Sequence, residues 1–388
     1  MSLLAPPLSL YIHMPWCVKK CPYCDFNSHG LRAQPPPYAE YIDDLLADLD
    51  ADRRDFAAAL QGRPIISIFF GGGTPSLFSP ELIDRLLDGV RSRLPLAPEA
   101  EITLETNPGT VEHGRFDGYL AAGVNRISFG VQSFDDDKLH RLGRIHSAAE
   151  AEAAVKSAQD AGYTNINLDL MYALPNQLLD GALADVERAL ALQPSHLSHY
   201  QLTLEPNTVF AANPPPLPDD DHAWAMQEAC EARLAAAGYG QYEISAYAKP
   251  GRRCAHNLNY WQFGDYLGIG AGAHGKLTDA AAGTVHRRWK TRSPRAYQAA
   301  NGGPDRIGGD GTVGAAELPF EYMLNALRLV DGVPHSAFTE RTGLPAATIA
   351  NALTTARQRG WLHDDPQRLH TTALGQRFLN DVISTFLD

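Results

Sequence analysis

Six short runs rich in β-branched and aromatic residues alternate with amphipathic stretches over the first 237 residues. No other feature of the chain constrains its fold as strongly. The runs are Leu8–Ile12, Ile65–Gly71, Glu101–Thr106, Arg126–Val131, Asn165–Leu170 and His196–Leu204. The stretches of helical period are Tyr38–Leu60, Pro80–Leu94, Val111–Ala122, Ala148–Ala161, Gly181–Leu192 and, after the sixth run, Asp219–Ala237. Gly62, Gly123 and Gly162 stand just past three of them, where helix stops are common. Strand-then-helix units in series predict parallel strands joined by right-handed crossovers. A closed barrel needs two more units, and the alternation stops near residue 237. The expectation is therefore an α/β fold, an open six-unit (βα)6 partial TIM barrel over residues 1–238.

From residue 239 the texture changes. Gln241–Ala248 alternates like an antiparallel or edge strand, and residues 250–315 are rich in Gly, Arg and Trp with little helical period. Residues 239–316 are expected to form a mixed β and loop region. Residues 317–388 read as helix, short helix, turn, helix, then two short extended runs and a last helix, an order that resembles a winged helix. That tail carries six Arg and no Lys against eight Asp and Glu, so packing or a protein contact is the expected role, not DNA reading. The whole chain carries a net charge of -12, which also speaks against nucleic acid. Apolar residues make up 44% of the 388, enough for a sizeable core. No run approaches the ~18 apolar residues of a membrane span. The first residues make a poor signal peptide, so a soluble, cytoplasmic protein is expected.

Of the five cysteines, Cys17, Cys21 and Cys24 fall within eight residues, directly after the first strand. Three thiolates at these gaps can converge on one metal centre in a reducing compartment. A structural zinc site wants four protein ligands, and no nearby Cys or Cys/His pair completes it. Three thiolates suit a 4Fe-4S cluster with one iron open to an exogenous ligand, the amino and carboxylate groups of S-adenosylmethionine being the obvious candidates. A degenerate zinc loop is the bland alternative. With YIHMPWC, CPYCDF, FFGGGTPS, ETNPGT, FGVQSF, LGRIH and NLDLMYALPNQ in place, the chain from Leu8 onward resembles the radical S-adenosylmethionine superfamily. The similarity is to the branch shared by oxygen-independent coproporphyrinogen III oxidases and their haem-chaperone sister group.

The resemblance implies a cofactor site. The Gly71–Ser76 turn follows the second strand, and its glycines are expected to let backbone approach the cofactor's methionine end and to offer amides to its carboxylate, with Gly72, Gly73 and Thr74 as contacts. Glu105, Gln132, Arg144 and Asp169 lie at or after later strands, near the barrel mouth, and by resemblance contact S-adenosylmethionine. Tyr11, Tyr23 and Ile269 are carried over in the same way, Ile269 as padding for the adenine.

Two features separate the sister groups. The oxidases carry a further Cys two residues beyond the third cluster Cys, where this chain has Phe26, and they carry a longer arm before the cluster, where this chain has 16 residues. His256-Asn-Leu-Asn-Tyr260-Trp261 resembles the HNxxYW signature of the chaperone group. It implies His256 as a haem-iron ligand, with Tyr260 and Trp261 packing on the porphyrin. Arg252, Arg253, Arg287 and Arg288 are expected near the propionates, and His274 and His286 stand as second-choice ligands. Cys230 and Cys254 are expected to be structural. The leading expectation is a haem chaperone that binds haem, a 4Fe-4S cluster and S-adenosylmethionine, takes an electron from a donor, and delivers haem to an acceptor protein. No residue is assigned as catalytic, and use of cofactor cleavage is left open. The alternatives are radical decarboxylation of coproporphyrinogen III and a non-catalytic zinc or regulatory protein.

Overall fold

The computed structural model describes residues 3–31, 35–110 and 115–387. Twelve strands make one sheet: β1 (Leu8–Met14), β2 (Ile65–Gly72), β3 (Leu96–Thr106), β4 (Arg126–Gln132), β5 (Ile166–Tyr172), β6 (His196–Gln201), β7 (Gly240–Glu243), β8 (Ala246–Ala248), β9 (Asp265–Ile269), β10 (His274–Asp279), β11 (Thr284–Lys290) and β12 (Ile307–Thr312). Their order is β12-β11-β10-β9-β1-β2-β3-β4-β5-β6-β8-β7. β1 to β6 pair in parallel, so the six expected units form the six expected strands. The order is linear, and the barrel is open.

Helix starts follow local chemistry. Pro80–Arg91 begins after Ser79 with proline in its first turn, and buries Ile83, Leu86, Leu87 and Val90 on one face. Ala148–Asp160 begins with a reciprocal Ser147–Glu150 capping box. The expected helix Val111–Ala122 is seen as Arg115–Ala122, and its first residues lie outside the described ones.

The strands sort side chains by parity. On β1, Leu8, Leu10, Ile12 and Met14 join the hydrophobic core, while Ser9, Tyr11 and His13 take the opposite face. The polar face is internally bonded: Ser9 meets Ser67 at 2.7 Å and accepts from Asn259 at 3.0 Å.

Three things depart from the sequence reading. Gln241–Ala248 is not one strand but two, β7 and β8, folded antiparallel on each other. Alternation survives a tight turn, so period alone does not separate one strand from two. Second, β9 adds a seventh parallel strand beside β1, with Ile12 opposite Ile269. Third, β10, β11 and β12 extend the sheet antiparallel beyond it. Leu267, Ile269, Ala271, Leu277 and Tyr297 thereby join the same core as β1. Buried ion pairs lock this extension to the helix Tyr38–Asp55: Lys290 bonds Asp52 at 2.7 Å and Arg306 bonds Asp48 at 3.0 Å.

The tail has its own core, built on Tyr322, Met323, Phe338, Leu353 and Val382, which also takes in Phe263 and Val285. Its helices Leu318–Ala326, Ser336–Thr342 and Ala350–Gln358 and the short pair Val333–Pro334 with Arg368–Leu369 follow the winged-helix-like order.

Candidate functional site: a thiol-lined cavity in the barrel mouth

β1 ends at Met14, and Trp16–Cys17 then pairs with His29–Gly30, closing a loop that carries all three cluster cysteines. Cys17, Cys21 and Cys24 are half-buried free thiols, and all three line one cavity of ≈ 380 Å³. Cys17 bonds the Thr74 and Ser28 hydroxyls, and burial raises its pKa. Cys24 lies 3.6 Å from Ser28, and an Arg144 nitrogen lies 3.7 Å from the Cys21 sulfur. Donors on one tetrahedral zinc ion sit about 3.8 Å apart. Among the described residues the three thiols do not form a group within 4.8 Å of one another, whereas Glu101, Cys254 and His256 do. The thiols are therefore set around a volume rather than a point, which fits a polynuclear cluster better than a single ion.

The glycine turn differs from the expectation. Gly72 donates its amide to Glu105, Gly73 to the Met14 carbonyl at 2.7 Å, and Thr74 to the Trp16 carbonyl at 2.7 Å. These amides already have partners within the chain, so they are not a ready cradle for a carboxylate. The glycines serve close backbone approach. A Cβ at Gly73 would lie 2.5 Å from the Trp16 carbonyl oxygen. Gly72 has φ +104°, and its Cβ would lie 2.4 Å from the His13 ring. The turn thus clamps β2 to the cluster loop.

Glu105, Gln132, Arg144 and Asp169 all line the same cavity, as their places at strand ends require. Glu105 is half-buried, and desolvation together with the nearby Asp169 charge pushes its pKa up to about 8. Asp169 is likewise raised by burial, against hydrogen bonds from Asn167 and Ser198. Arg144 donates to the Gly130 carbonyl at 2.5 Å, and Gln132, in the left-handed region at φ 71°, accepts from Tyr200 at 2.8 Å. Glu105, Asp169 and Glu243 share the lining with Lys19, Arg126 and Arg144, so the cavity offers acceptors for an ammonium group and cations for a carboxylate. Tyr23 bonds Cys21 and packs against Phe210. Sequence reasoning missed Arg126, Ser128, Asn167, Ser198 and Tyr200, which also line the cavity. Counting back in steps of two from Gln132 and Asp169 would have found Ser128, Arg126 and Asn167.

Two carried-over residues sit elsewhere. Tyr11 lies in a neighbouring cavity, where it stacks on Phe69 and bonds His13 at 2.8 Å. The Ile269 side chain is fully buried in the core between sheet and helices, because parity turns its neighbour Gly268, opposite Tyr11, to the inner face.

The HNLNYW run is a helix, Ala255–Trp261, not a loop. Glu101 holds its N-terminus, accepting from the Ala255 and His256 amides at 3.1 and 3.2 Å. His256 is buried. It stacks on Phe69 at 4.1 Å, and its Nδ1 lies 3.1 Å from Glu101 and 3.1 Å from the Cys254 sulfur. Tyr260 contacts Tyr266 edge-on, and Arg328 lies over the Trp261 ring at 4.8 Å. Three of the four arginines expected at propionates are committed instead. Arg253 pairs with Asp331, Arg287 with Glu321, and Arg288 with Asp52, Asp55 and Asp310. Arg252 is exposed. Cys230 is buried in the helix Asp220–Ala236, as expected for a structural thiol. Of the second-choice histidines, His274 lines the neighbouring cavities, whereas His286 faces a small pocket beside Phe56 and Arg288.

Among the described residues, no helix is long and apolar enough to cross a membrane. A model of the Radical SAM superfamily matches residues 11–189, and one of the HemN C-terminal domain matches residues 314–378. The heme chaperone HemW of Escherichia coli (strain K12) is 52% identical over 382 residues, 98% of each chain. The heme chaperone HemW of Bacillus subtilis (strain 168) is 34% identical over 385 residues, 98% of this chain and 99% of the relative. The solved structure of coproporphyrinogen III oxidase (HemN) from Escherichia coli superposes with a TM-score of 0.82 at 23% identity, covering 98% of this chain and 90% of the other. That likeness speaks for the fold.

Proposed function

The chain belongs to the heme chaperone HemW family of radical SAM proteins, and from that premise we propose that it binds haem and hands it to an acceptor protein. Its scaffold holds a 4Fe-4S cluster and S-adenosylmethionine. The observation that carries this reading is the single cavity faced by three thiols, the Gly72–Thr74 turn and the Glu105–Asp169 pair. In it Cys17, Cys21 and Cys24 hold the cluster. Glu105 and Asp169 accept from the cofactor's amine or ribose hydroxyls, and Arg144 and Gln132 fix the polar wall beside them. Tyr23 shields the site from water, and Tyr11 borders the adjoining cavity. When bound, the cluster and S-adenosylmethionine supply one-electron chemistry. An electron donor and a haem acceptor complete the partners, and the free thiols suit the reducing cytoplasm.

Decarboxylation of coproporphyrinogen III gains no support from the site. Phe26, 62% exposed at the cavity mouth, stands where the oxidases have a further Cys.

Anaerobic reconstitution should give about four irons and four sulfides per chain. Replacing Cys17, Cys21 or Cys24 by Ser should abolish the cluster, and Cys230→Ser should leave it. The same protein should take up haemin and leave coproporphyrinogen III unconverted when given reductant and S-adenosylmethionine. One zinc per chain with no iron uptake, or formation of the divinyl product, would overturn the reading.

A further inference from the structure

Beside the cluster cavity, the inner face of β9, β10 and β11 borders two adjoining cavities of ≈ 480 and ≈ 350 Å³, which share Tyr11, Phe69 and His274. The larger also shares Phe26, Phe69, Gly72 and Glu105 with the cluster cavity, so the two spaces are continuous at the barrel mouth. Glycines keep the wall flat. Gly268 stands opposite Tyr11, and Trp289 lies across Gly309, where a Cβ would come within 1.9 Å of its ring. The opposite wall is aromatic: Tyr260 and Trp261, the last residues of the Ala255–Trp261 helix, line the smaller cavity. A flat, aromatic-walled space of this size suits a planar macrocycle.

Two imidazoles line this space, and His13 is buried with its ring nitrogens bonded to Tyr11 and the Asn27 carbonyl, which leaves His274. It is exposed on β10, in register with Trp289 and nearly parallel to its ring at 19°. Among the described residues, no hydrogen bond occupies either of its ring nitrogens. His256, by contrast, is buried behind Phe69 and committed to Glu101 and Cys254. The cations divide in the same way. Lys276 is buried against Asp265, and Arg287 is paired with Glu321, but Arg292 is exposed at the rim of the larger cavity with no ion-pair partner among the described residues.

We propose that His274, not His256, is the axial ligand of the carried haem, with the macrocycle lying between Trp289 and the Tyr260–Trp261 end of the helix and Arg292 meeting a propionate. The proposal rests on the haem-chaperone reading and names the site within it. Neutral imidazole is the ligating form. Partial burial, with the nearby Arg287 and Arg292 charges, lowers the His274 pKa and so favours that form. His256 then acts as a positioning residue, holding the helix that presents Tyr260 and Trp261. The placement also sets the haem edge toward the cluster cavity, across Phe69 and Glu105.

The test is haemin titration of the full-length, cluster-loaded chain, read by the Soret band and by electron paramagnetic resonance. His274→Ala should lose the wild-type spectrum and weaken haemin retention by at least about tenfold, as losing a direct ligand should cost no less than losing an outer-shell partner. Added imidazole should restore the spectrum, and cluster content, measured in the same samples, should stay at the wild-type level. His274→Gln, which keeps size and polarity, gives the same readout if the alanine variant loads poorly. His256→Ala should keep the wild-type ligand signature. A wild-type spectrum and affinity in both His274 variants would overturn the proposal, as would loss of the signature with imidazole rescue in His256→Ala. If the wild-type chain binds no haemin at all, the chaperone reading itself fails.

Discussion

At the scale of single residues, two carboxylates on one strand behave in opposite ways. Glu101 and Glu105 both lie half-buried on β3, and desolvation disfavours the charge of each. Around Glu101, burial is outweighed by His256, Arg126 and the Ala255 amide, which hold its pKa well below the usual carboxylate range. Glu105 faces Asp169 and stays raised to about 8. If Glu105 must be ionised to hold a cationic ligand, S-adenosylmethionine affinity should climb between about pH 6.5 and 8, by up to about tenfold per unit, and level off above. Calorimetric titration across that range checks it. Glu105→Gln should flatten the profile, and an equally steep profile in that variant would assign the proton elsewhere. The linkage for Glu101 has the other sign. Its depressed pKa contributes stability above the unfolded value of 4.5, which is lost as pH falls toward the folded value. Glu101→Gln should therefore lower unfolding free energy by about 1–3 kcal/mol at pH 7 and by progressively less at lower pH, measured in urea.

At the scale of elements, the glycine turn and the HNLNYW helix show how local patterns mislead about role. A glycine-rich turn after a strand reads as an anion cradle, yet the amides of Gly72, Gly73 and Thr74 are bonded within the chain. The turn is a clamp between β2 and the cluster loop. Gly72→Val should accordingly do more than weaken cofactor binding. With φ at +104° and the His13 ring 2.4 Å from the new Cβ, the loop must shift, and reconstituted iron should fall with it. Full iron content with weakened cofactor affinity would return the turn to a purely ligand-facing role. The HNLNYW segment lacks an ordinary N-cap side chain, since Cys254 occupies that position. Its cap is Glu101, more than 150 positions earlier in the chain. No local window contains that fact.

At the scale of the whole molecule, the sheet and the tail depend on each other. Phe263, at the end of the HNLNYW segment, and Val285 on β11 bury themselves among tail residues, with Leu258 and Trp261 packed against the same cluster. A chain ending at residue 316 should expose that surface. It should bind a hydrophobic dye, aggregate, and lose haemin uptake before cluster uptake, because the cluster loop is held by bonds to Thr74, Phe210, Ala271 and Arg292 and not by the tail. A soluble monomer with wild-type haemin affinity would show that the tail is dispensable for the site. Much of this architecture is legible in the sequence. The six parallel strands follow from period-two runs alternating with period-3.6 runs, since each pattern can bury its apolar face in only one geometry. The three cysteines and the strand-end polar residues follow from the same logic, because parallel strands deliver their C-terminal ends to one mouth. Local pattern does not reveal which distant segments meet. β9 beside β1, Glu101 beneath His256, and Ile269 turned into the core while His274 faces open space were settled by register and parity across the sheet. A strand slipped by one residue exchanges its faces, and that register is fixed by packing between segments far apart in sequence. The sequence alone therefore determined the barrel units and the thiol chemistry. Tertiary structure decided which histidine is enclosed and which is free to meet a ligand.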